Sequence, residues 1–324
     1  MHGMINQNDL LVERGFPRTY REFVHDFPSD DACAGYLEQM RWPAGFCCPA
    51  CKTSCVPWRQ TRGRLVCTTC RHQTSVTTGT ILEKTRTPLT TWFEAAWHLT
   101  TAKNGLSAKT LERTLGTSYR TAWTLLQRYR VSMVRSERDR LSGAVEVDET
   151  LVVGGVAQGG KRGRGTSKSI VVIAVEVKEP KGFGRIRMRH IPDASGANLQ
   201  PFICDVISKG AIVRTDGWAE YNGLPKHGFL HERTVLSSSG DPAHVAMPGV
   251  HRVASLLKRW ILGTHQGAIG RQHLDDYLNE FVFRFNRRKS ASRGKLFFRL
   301  AQQAVQITPT TYEMLVRPQP VAPC

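Results

Sequence analysis

Two Cys-x-x-C pairs, Cys48-Pro49-Ala50-Cys51 and Cys67-Thr68-Thr69-Cys70, stand fifteen residues apart and constrain this chain more than any other feature. Each tight turn offers two thiolates to one ion, and two such turns close a tetrahedron, the spacing of a four-cysteine structural Zn²⁺ site. Val56-Pro57-Trp58 and Arg64-Leu65-Val66 read as the arms of a small hairpin with Gly63 near its turn, so residues 46–80 are expected to form a zinc ribbon. Cys47 and Cys55 are available in place of Cys48 or Cys51 but give no better spacing. A closed four-thiolate site folds its module and does no chemistry. Seven of the nine cysteines lie between residues 33 and 70. An odd total gathered in one region argues for a metal site in a reducing compartment and against a secreted disulfide framework.

The 324 residues leave room for two or three domains, and 40% hydrophobic content is that of a folded chain. Lys and Arg number 45 against 27 acidic residues, a net charge of +18, which favours a polyanionic partner. No apolar stretch of about 18 residues is present and the run Met1 to Asp9 is polar, so no membrane role is expected and nucleic acid in the cytoplasm is the better partner. The organisation expected is multidomain α+β: a helical lead-in over 1–45, the ribbon over 46–80, a basic helical region over 87–140, an α/β domain over 143–306, and a Pro-rich tail over 307–324 expected to be disordered.

In the helical region Thr87 suits an N-cap and Pro88 the first helical position. Leu89, Trp92, Phe93, Ala96, Trp97 and Thr100 then share a face. Ser107 opens a second helix with Leu111 and Leu115 inward, Gly116-Thr117-Ser118 makes a turn, and Tyr119, Ala122, Trp123, Leu126 and Tyr129 mark the inner side of a third. The glycine in the turn and the basic Arg120, Arg128 and Arg130 suit a DNA-reading, helix-turn-helix-like region. A plain helical bundle with a solvated basic face is the alternative.

From 143 onward, short β-branched runs alternate with Gly-rich turns. Strands are expected over 144–148, 169–175, 184–189 and 211–216, with a helix over 194–207 before the last and a basic loop holding Lys161, Arg162 and Arg164 after the first. A meander, then helix, then strand is the order of a ribonuclease-H-like fold, in which Asp148 on the first strand and Asp216 at the end of the fourth become neighbours. Carboxylates at strand ends are what a two-metal phosphoryl-transfer site needs, although one such Asp alone is as readily a turn cap. Alternation puts Glu146 on the face of Asp148, as a reserve carboxylate, and Glu149 on the other. A helix over about 248–262 carries Val253, Leu256, Leu257 and Ile261 on its apolar side, with His251 and Lys258 two turns apart on one face. His251 follows Asp216 by 35 residues, near the spacing at which a glutamate would complete an acidic triad; an ordinary helix-start histidine is the plain alternative.

These segments resemble the bacterial insertion-sequence transposases with an amino-terminal zinc ribbon and a DDE-type, ISXO-like catalytic domain. The resemblance rests on Arg41-Trp42-Pro43-Ala44-Gly45-Phe46 with the first Cys pair, Val147-Asp148-Glu149-Thr150 through Gly154-Gly155, Thr215-Asp216-Gly217-Trp218-Ala219-Glu220-Tyr221, and Leu256-Leu257-Lys258-Arg259-Trp260 through Asn286-Arg287-Arg288. It implies that Asp148 and Asp216 are metal ligands, that His251 takes the third position, where glutamate or asparagine often stands, and that Lys258 is the following basic residue. Neutral imidazole suits Mn²⁺ better than Mg²⁺. The implied cofactors are two Mg²⁺ or Mn²⁺ ions beside the structural Zn²⁺. The implied activity is DNA transposition by a nucleoid-associated homo-oligomer: recognition of the element's terminal inverted repeats, cutting of phosphodiester bonds, and joining of the 3′ ends to target DNA. Lys258 would position a phosphate, while Lys161, Arg162, Arg164, Arg284, Arg287 and Arg288 would track the backbone. A non-catalytic DNA-binding protein, inactivated or regulatory, and a nuclease that cuts without joining are the alternatives; if His251 is no ligand, Glu146 or Glu280 takes its place.

Overall fold

Serine and threonine hydroxyls set the helix starts of the amino-terminal part. In the computed structural model, which describes residues 15–135, 138–152, 168–178, 182–234 and 247–317, Thr19 and Ser29 accept the backbone N–H of Glu22 and Ala32 and so cap α1 (Tyr20–Asp26) and α2 (Asp30–Arg41). The ribbon follows as β1 (Trp58–Gln60), β2 (Arg64–Val66) and β3 (Gln73–Ser75), paired antiparallel in that order. The anticipated hairpin is thus extended by β3, a three-residue strand too short to show alternation. Next come α3 (Leu89–Thr101), α4 (Ala108–Leu115) and α5 (Tyr119–Ser132). Ser107 caps α4 as expected, Ser118, read as part of the turn, caps α5, and Gly116, at φ +61°, turns the chain between them in the left-handed conformation that glycine tolerates. Pro88, expected inside the first turn of α3, is instead its cap, because its ψ of 147° is extended. Tyr119, expected inward, is half exposed, and the buried positions of α5 include Leu125 and Gln127.

The chain groups into two compact units, Met1–Arg135 with Ser290–Cys324, and Ser136–Lys289. The second contains β4 (Ala144–Val152), β5 (Ser169–Val177), β6 (Phe183–Ile191), α6 (Gly196–Val206), β7 (Ile212–Asp216), β8 (Leu230–Thr234), α7 (Pro248–His265) and α8 (Leu274–Asn286). Among the described residues the strands form one mixed sheet in the order β6-β5-β4-β7-β8. β4, β5 and β6 are a meander, while β7 runs parallel to β4 and β8 parallel to β7. β8 was not anticipated: its sequence, Leu-His-Glu-Arg-Thr, has no apolar alternation and much of it is exposed. Alternation sorts the two faces. Val145 and Val147 of β4 join Val172, Val213, Leu199, Phe202 and Ile203 in a core under α6. Val171, Ile173 and Val175 of β5 meet Val250, Val253, Leu257, Ile261, Leu278 and Phe281 of α7 and α8 on the other side. Glu146 and Asp148, paired in register with Val175 and Ile173, therefore face α7.

The outer edge of β6 is covered by polar side chains of the α8 region. Asn286 takes both backbone groups of Ile186: its Oδ1 accepts the N–H at 2.8 Å and its Nδ2 donates to the C=O at 3.2 Å. Asp275 accepts the His190 N–H at 2.8 Å, and the Arg288 guanidinium donates to the carbonyls of Gly184 and Phe183. Unpaired edge groups that would otherwise invite another strand are satisfied inside the unit.

The second unit ends at Lys289, so the α/β domain anticipated to run to 306 stops earlier. The next helix, α9 (Gly294–Ala304), belongs to the first unit, where Phe297 sits 5.5–6.2 Å, ring to ring, from Phe23, Phe27, Tyr36, Phe93 and Trp97. The tail, expected disordered from 307, forms α10 (Tyr312–Val316) with Thr311 as its cap; its Pro-rich end beyond Arg317 lies outside the described residues. Among the described residues no helix is long and apolar enough to cross a membrane.

Truncating Asn286 to Ala leaves the buried edge of Ile186 without partners. The expected loss is about 1–3 kcal/mol of stability, read as a lower urea midpoint with unchanged slope; an unaltered midpoint would show that the Asn286 contacts contribute nothing.

Candidate active site and metal centres

In the ribbon the sulfurs of Cys48, Cys51, Cys67 and Cys70 all lie within 4.8 Å of one another, and among the described residues they are the group that converges so closely. The Cys48–Cys70 and Cys51–Cys67 separations are 3.6 and 3.7 Å. A tetrahedron with Zn–S near 2.3 Å has an edge of about 3.8 Å, so the cluster fits a structural zinc in both composition and size. Cys47 points elsewhere, donating to the Lys52 carbonyl. Cys55 approaches Cys67 at 3.8 Å but is not part of the four.

In the second unit the recorded β4–β7 pairing ends at Glu146–Arg214. Asp148 and Asp216 sit two residues beyond it; Asp216 ends β7, while Asp148, expected at a strand end, lies in the middle of β4, which continues to Val152 along β5. Asp148 accepts the Glu149 N–H at 2.8 Å, and Asp216 accepts the Trp218 N–H at 3.1 Å. Burial, then the charges of Glu149 and Asp216, push the Asp148 carboxyl up from 3.8 to about 7, against the opposing pull of its hydrogen bond and of Lys258. His251 Nε2 lies 4.0 Å from Asp148 Oδ2, with the two side chains 33% and 22% exposed, so both can still meet a solvent-borne ion. The structure thus brings the predicted Asp148, Asp216, His251 and Lys258 into one electrostatic neighbourhood. Asp148, Asp216 and His251 supply the oxygen and nitrogen donors there.

The two reserve carboxylates have other occupations. Glu146 is 3% exposed and accepts the Val250 N–H at the start of α7 at 2.9 Å. Glu280 is fully buried and accepts from Arg284 Nε at 2.8 Å one helical turn on. One neighbour was given no role by the sequence. Tyr221, buried, donates its hydroxyl to Glu149 Oε2 at 2.9 Å on the α6 side of the sheet. Its sequence signals are its place five residues after Asp216 and at the end of the segment Thr215 to Tyr221, neither of which shows what its hydroxyl meets.

Several anticipated DNA contacts are re-read. Arg130 is 1% exposed and bonds Gln127, so it is a core residue of the first unit and cannot reach a phosphate. Arg128 is half-buried, donating to the Ile81 carbonyl. Arg120 is exposed and stacks over Tyr312 at 4.0 Å. Arg284 is held by Glu280, Arg287 lies over Phe283, and Arg288 covers the β6 edge, so none of the three is a freely presented cation. Lys161, Arg162 and Arg164 lie outside the described residues.

Replacing Cys67 by Ser is expected to abolish the single bound zinc measured by atomic absorption; a stoichiometric zinc retained by the variant would reject the assignment. For Asp148, the raised carboxyl means that the metal-free folded chain binds more protons than the unfolded one between about pH 4 and 7, so this group lowers stability as pH rises through that window. Asp148→Asn is therefore expected to melt higher than the parent at pH 8, with a smaller difference at pH 5. Equal melting temperatures at both would refute the charge crowding.

A family model described as an ISXO2-like transposase domain matches residues 140–286, and one described as a transposase zinc-ribbon domain matches residues 28–73. Together they span more than half of the chain and include the four clustered cysteines, Asp148, Asp216, His251 and Lys258. The chain is also similar to an uncharacterized protein in transposable element ISH50 of Halobacterium salinarum, with 28% identity over 279 residues, covering 81% of this chain and 92% of that protein. The chain thus matches, in this order, a transposase zinc-ribbon domain and an ISXO2-like transposase domain, and a protein of a transposable element is similar to it along most of its length.

Proposed function

We propose that this chain is a DNA transposase that binds the ends of its insertion element, cuts there, and joins the freed 3′ ends to target DNA. The observation that carries the chemistry is the crowding of negative charge at Asp148, a partly buried carboxylate beside Asp216 and 4.0 Å from His251. Such a place favours a divalent cation. Asp148 and Asp216, with His251 as third donor, would hold Mg²⁺ or Mn²⁺. When bound, a pair of such ions activates the attacking oxygen and stabilises the leaving one. The strand order β6-β5-β4-β7-β8, with β7 parallel to β4, supports a ribonuclease-H-like reading of the second unit.

The protein's own groups have separable roles in this reading. Asp148 gives up its proton when a cation arrives, so ion binding releases acid at neutral pH. The exposed Lys258, two turns along α7 from His251, presents an ammonium to an end phosphate. In the first unit, α4, the Gly116 turn and α5 serve as a helix-turn-helix-like reader, with Lys109, Arg113 and Arg120 among its exposed cations, and the ribbon adds a second DNA-binding module. Two ends must be held at once, so the working form is a homo-oligomer on DNA.

The test is cleavage and joining on DNA carrying the element's own ends, with Mg²⁺ and Mn²⁺ compared. Asp148→Asn and Asp216→Asn are expected to lose about a thousandfold or more of both activities, the weight of several kcal/mol of transition-state stabilisation, while still binding the ends. Activity surviving either change ends the reading. A parent that binds ends tightly but never cuts them would make the chain a DNA-binding protein without chemistry.

A further inference from the structure

The helix that carries His251 and Lys258 has no cap of its own. Met247 precedes α7 without a side-chain hydrogen bond, and Pro248 takes the first turn. The next two N–H groups, of Gly249 and Val250, have no partner within the helix by construction. The second is met from the sheet: the carboxylate of Glu146 accepts from Val250 at 2.9 Å, with Gly249 packed close against it. The fit is close. A Cβ on Gly249 would stand 2.7 Å from Glu146 Oε2 and 3.2 Å from Phe183 Cε1, so glycine is what lets the helix end approach the strand. A buried carboxylate is costly unless paired with donors; here the positive end of α7 and the Val250 amide offset part of that cost, while burial still holds the carboxyl above its usual range.

Register makes this more than a packing detail. Glu146 and Asp148 are two residues apart on one face of β4, about 7 Å along the strand. Val250 and His251 are consecutive on α7. A hydrogen bond at Val250 therefore fixes where His251 falls relative to Asp148, and through the rigid helix where Lys258 falls two turns later. The apolar contacts of α7 hold it against the sheet through Val250, Val253, Leu257 and Ile261, but such contacts are non-directional. The Glu146 contact is directional.

We infer that Glu146 is a positioning residue for the proposed metal site: it clamps the Val250 amide of α7 to β4 and so sets His251 against Asp148. This rests on the reading that Asp148, Asp216 and His251 hold the divalent ion. It assigns Glu146 a role distinct from that of a substitute ligand. Partners that orient a ligand typically account for roughly 10–100-fold in metal affinity or activity.

The full chain tests this with Mn²⁺ binding, measured by the free-ion paramagnetic resonance signal, and with end joining. Glu146→Gln keeps the volume but weakens the acceptor. It is expected to weaken Mn²⁺ binding and to lower kcat, each by roughly 10–100-fold, with KM for DNA unchanged and the Val250 amide exchanging hydrogen faster. Gly249→Ala, which leaves the carboxylate intact and pushes it aside, is expected to do the same. Because Glu146 acts through His251, the Glu146→Gln/His251→Ala double variant should bind Mn²⁺ no worse than His251→Ala alone. A further loss in the double variant, or Glu146→Gln binding Mn²⁺ like the parent, overturns the inference while leaving the transposase reading in place. A parent that neither binds Mn²⁺ nor joins ends overturns the transposase reading itself. Unchanged amide exchange in Glu146→Gln refutes the clamp independently of any activity.

Discussion

Seating carboxylates against an apolar helix face is the constraint around which the second unit is arranged. β4 does two jobs because its period is two: Val145 and Val147 fill the core under α6, while Glu146 and Asp148 turn towards α7. Each of those acids would be costly alone in that place. Glu146 accepts from the helix end it holds, although burial still keeps its carboxyl above the usual range. Asp148 rises to about 7 through burial and then the charges of Glu149 and Asp216. One acid is tied to a helix end and the other is crowded by two more carboxylates, on one face of one strand. That difference separates framework from chemistry more sharply than any distance in the site.

The first unit solves a different problem. Its ribbon is too small to fold on apolar burial and relies on the four sulfurs, whereas its helices enclose a cluster of aromatic rings centred on Phe297. The basic residues divide accordingly. Arg130 is consumed by the core and Arg128 by the Ile81 carbonyl, leaving Arg120 on the exposed side of α5 beside Tyr312.

Much of this was legible in the chain itself, where a feature is fixed by local chemistry. The paired cysteines announced the ribbon, Ser107 announced a helix start, and strand alternation placed Asp148 and Glu146 on one face. What escaped was set by tertiary partners. β8 shows no alternation because it offers little to either core. An arginine that packs on a ring or closes a strand edge is spelled like one that meets phosphate, so the sequence alone does not separate Arg284, Arg287 and Arg288 from DNA contacts. Glu146 was recognisable as an acid near the site, but only the placement of Val250 opposite it shows what it holds. The end of the α/β domain was misplaced because the periodicity of α9 is that of any amphipathic helix, whichever core receives it.

The return of α9 to the first unit has a consequence for biogenesis. The amino-terminal unit is not completed by amino-terminal sequence: Phe297, which its aromatic core surrounds, leaves the ribosome only after Ser136–Lys289 has been made. At 5–20 residues per second that is a delay of roughly 10–30 s. During this interval Phe23, Phe27, Phe93 and Trp97 have no Phe297 to close on. The zinc ribbon can gather its ion and the inserted α/β unit can assemble its sheet first, so Phe23 and Phe27, made long before Phe297, are among the last residues to reach their final packing.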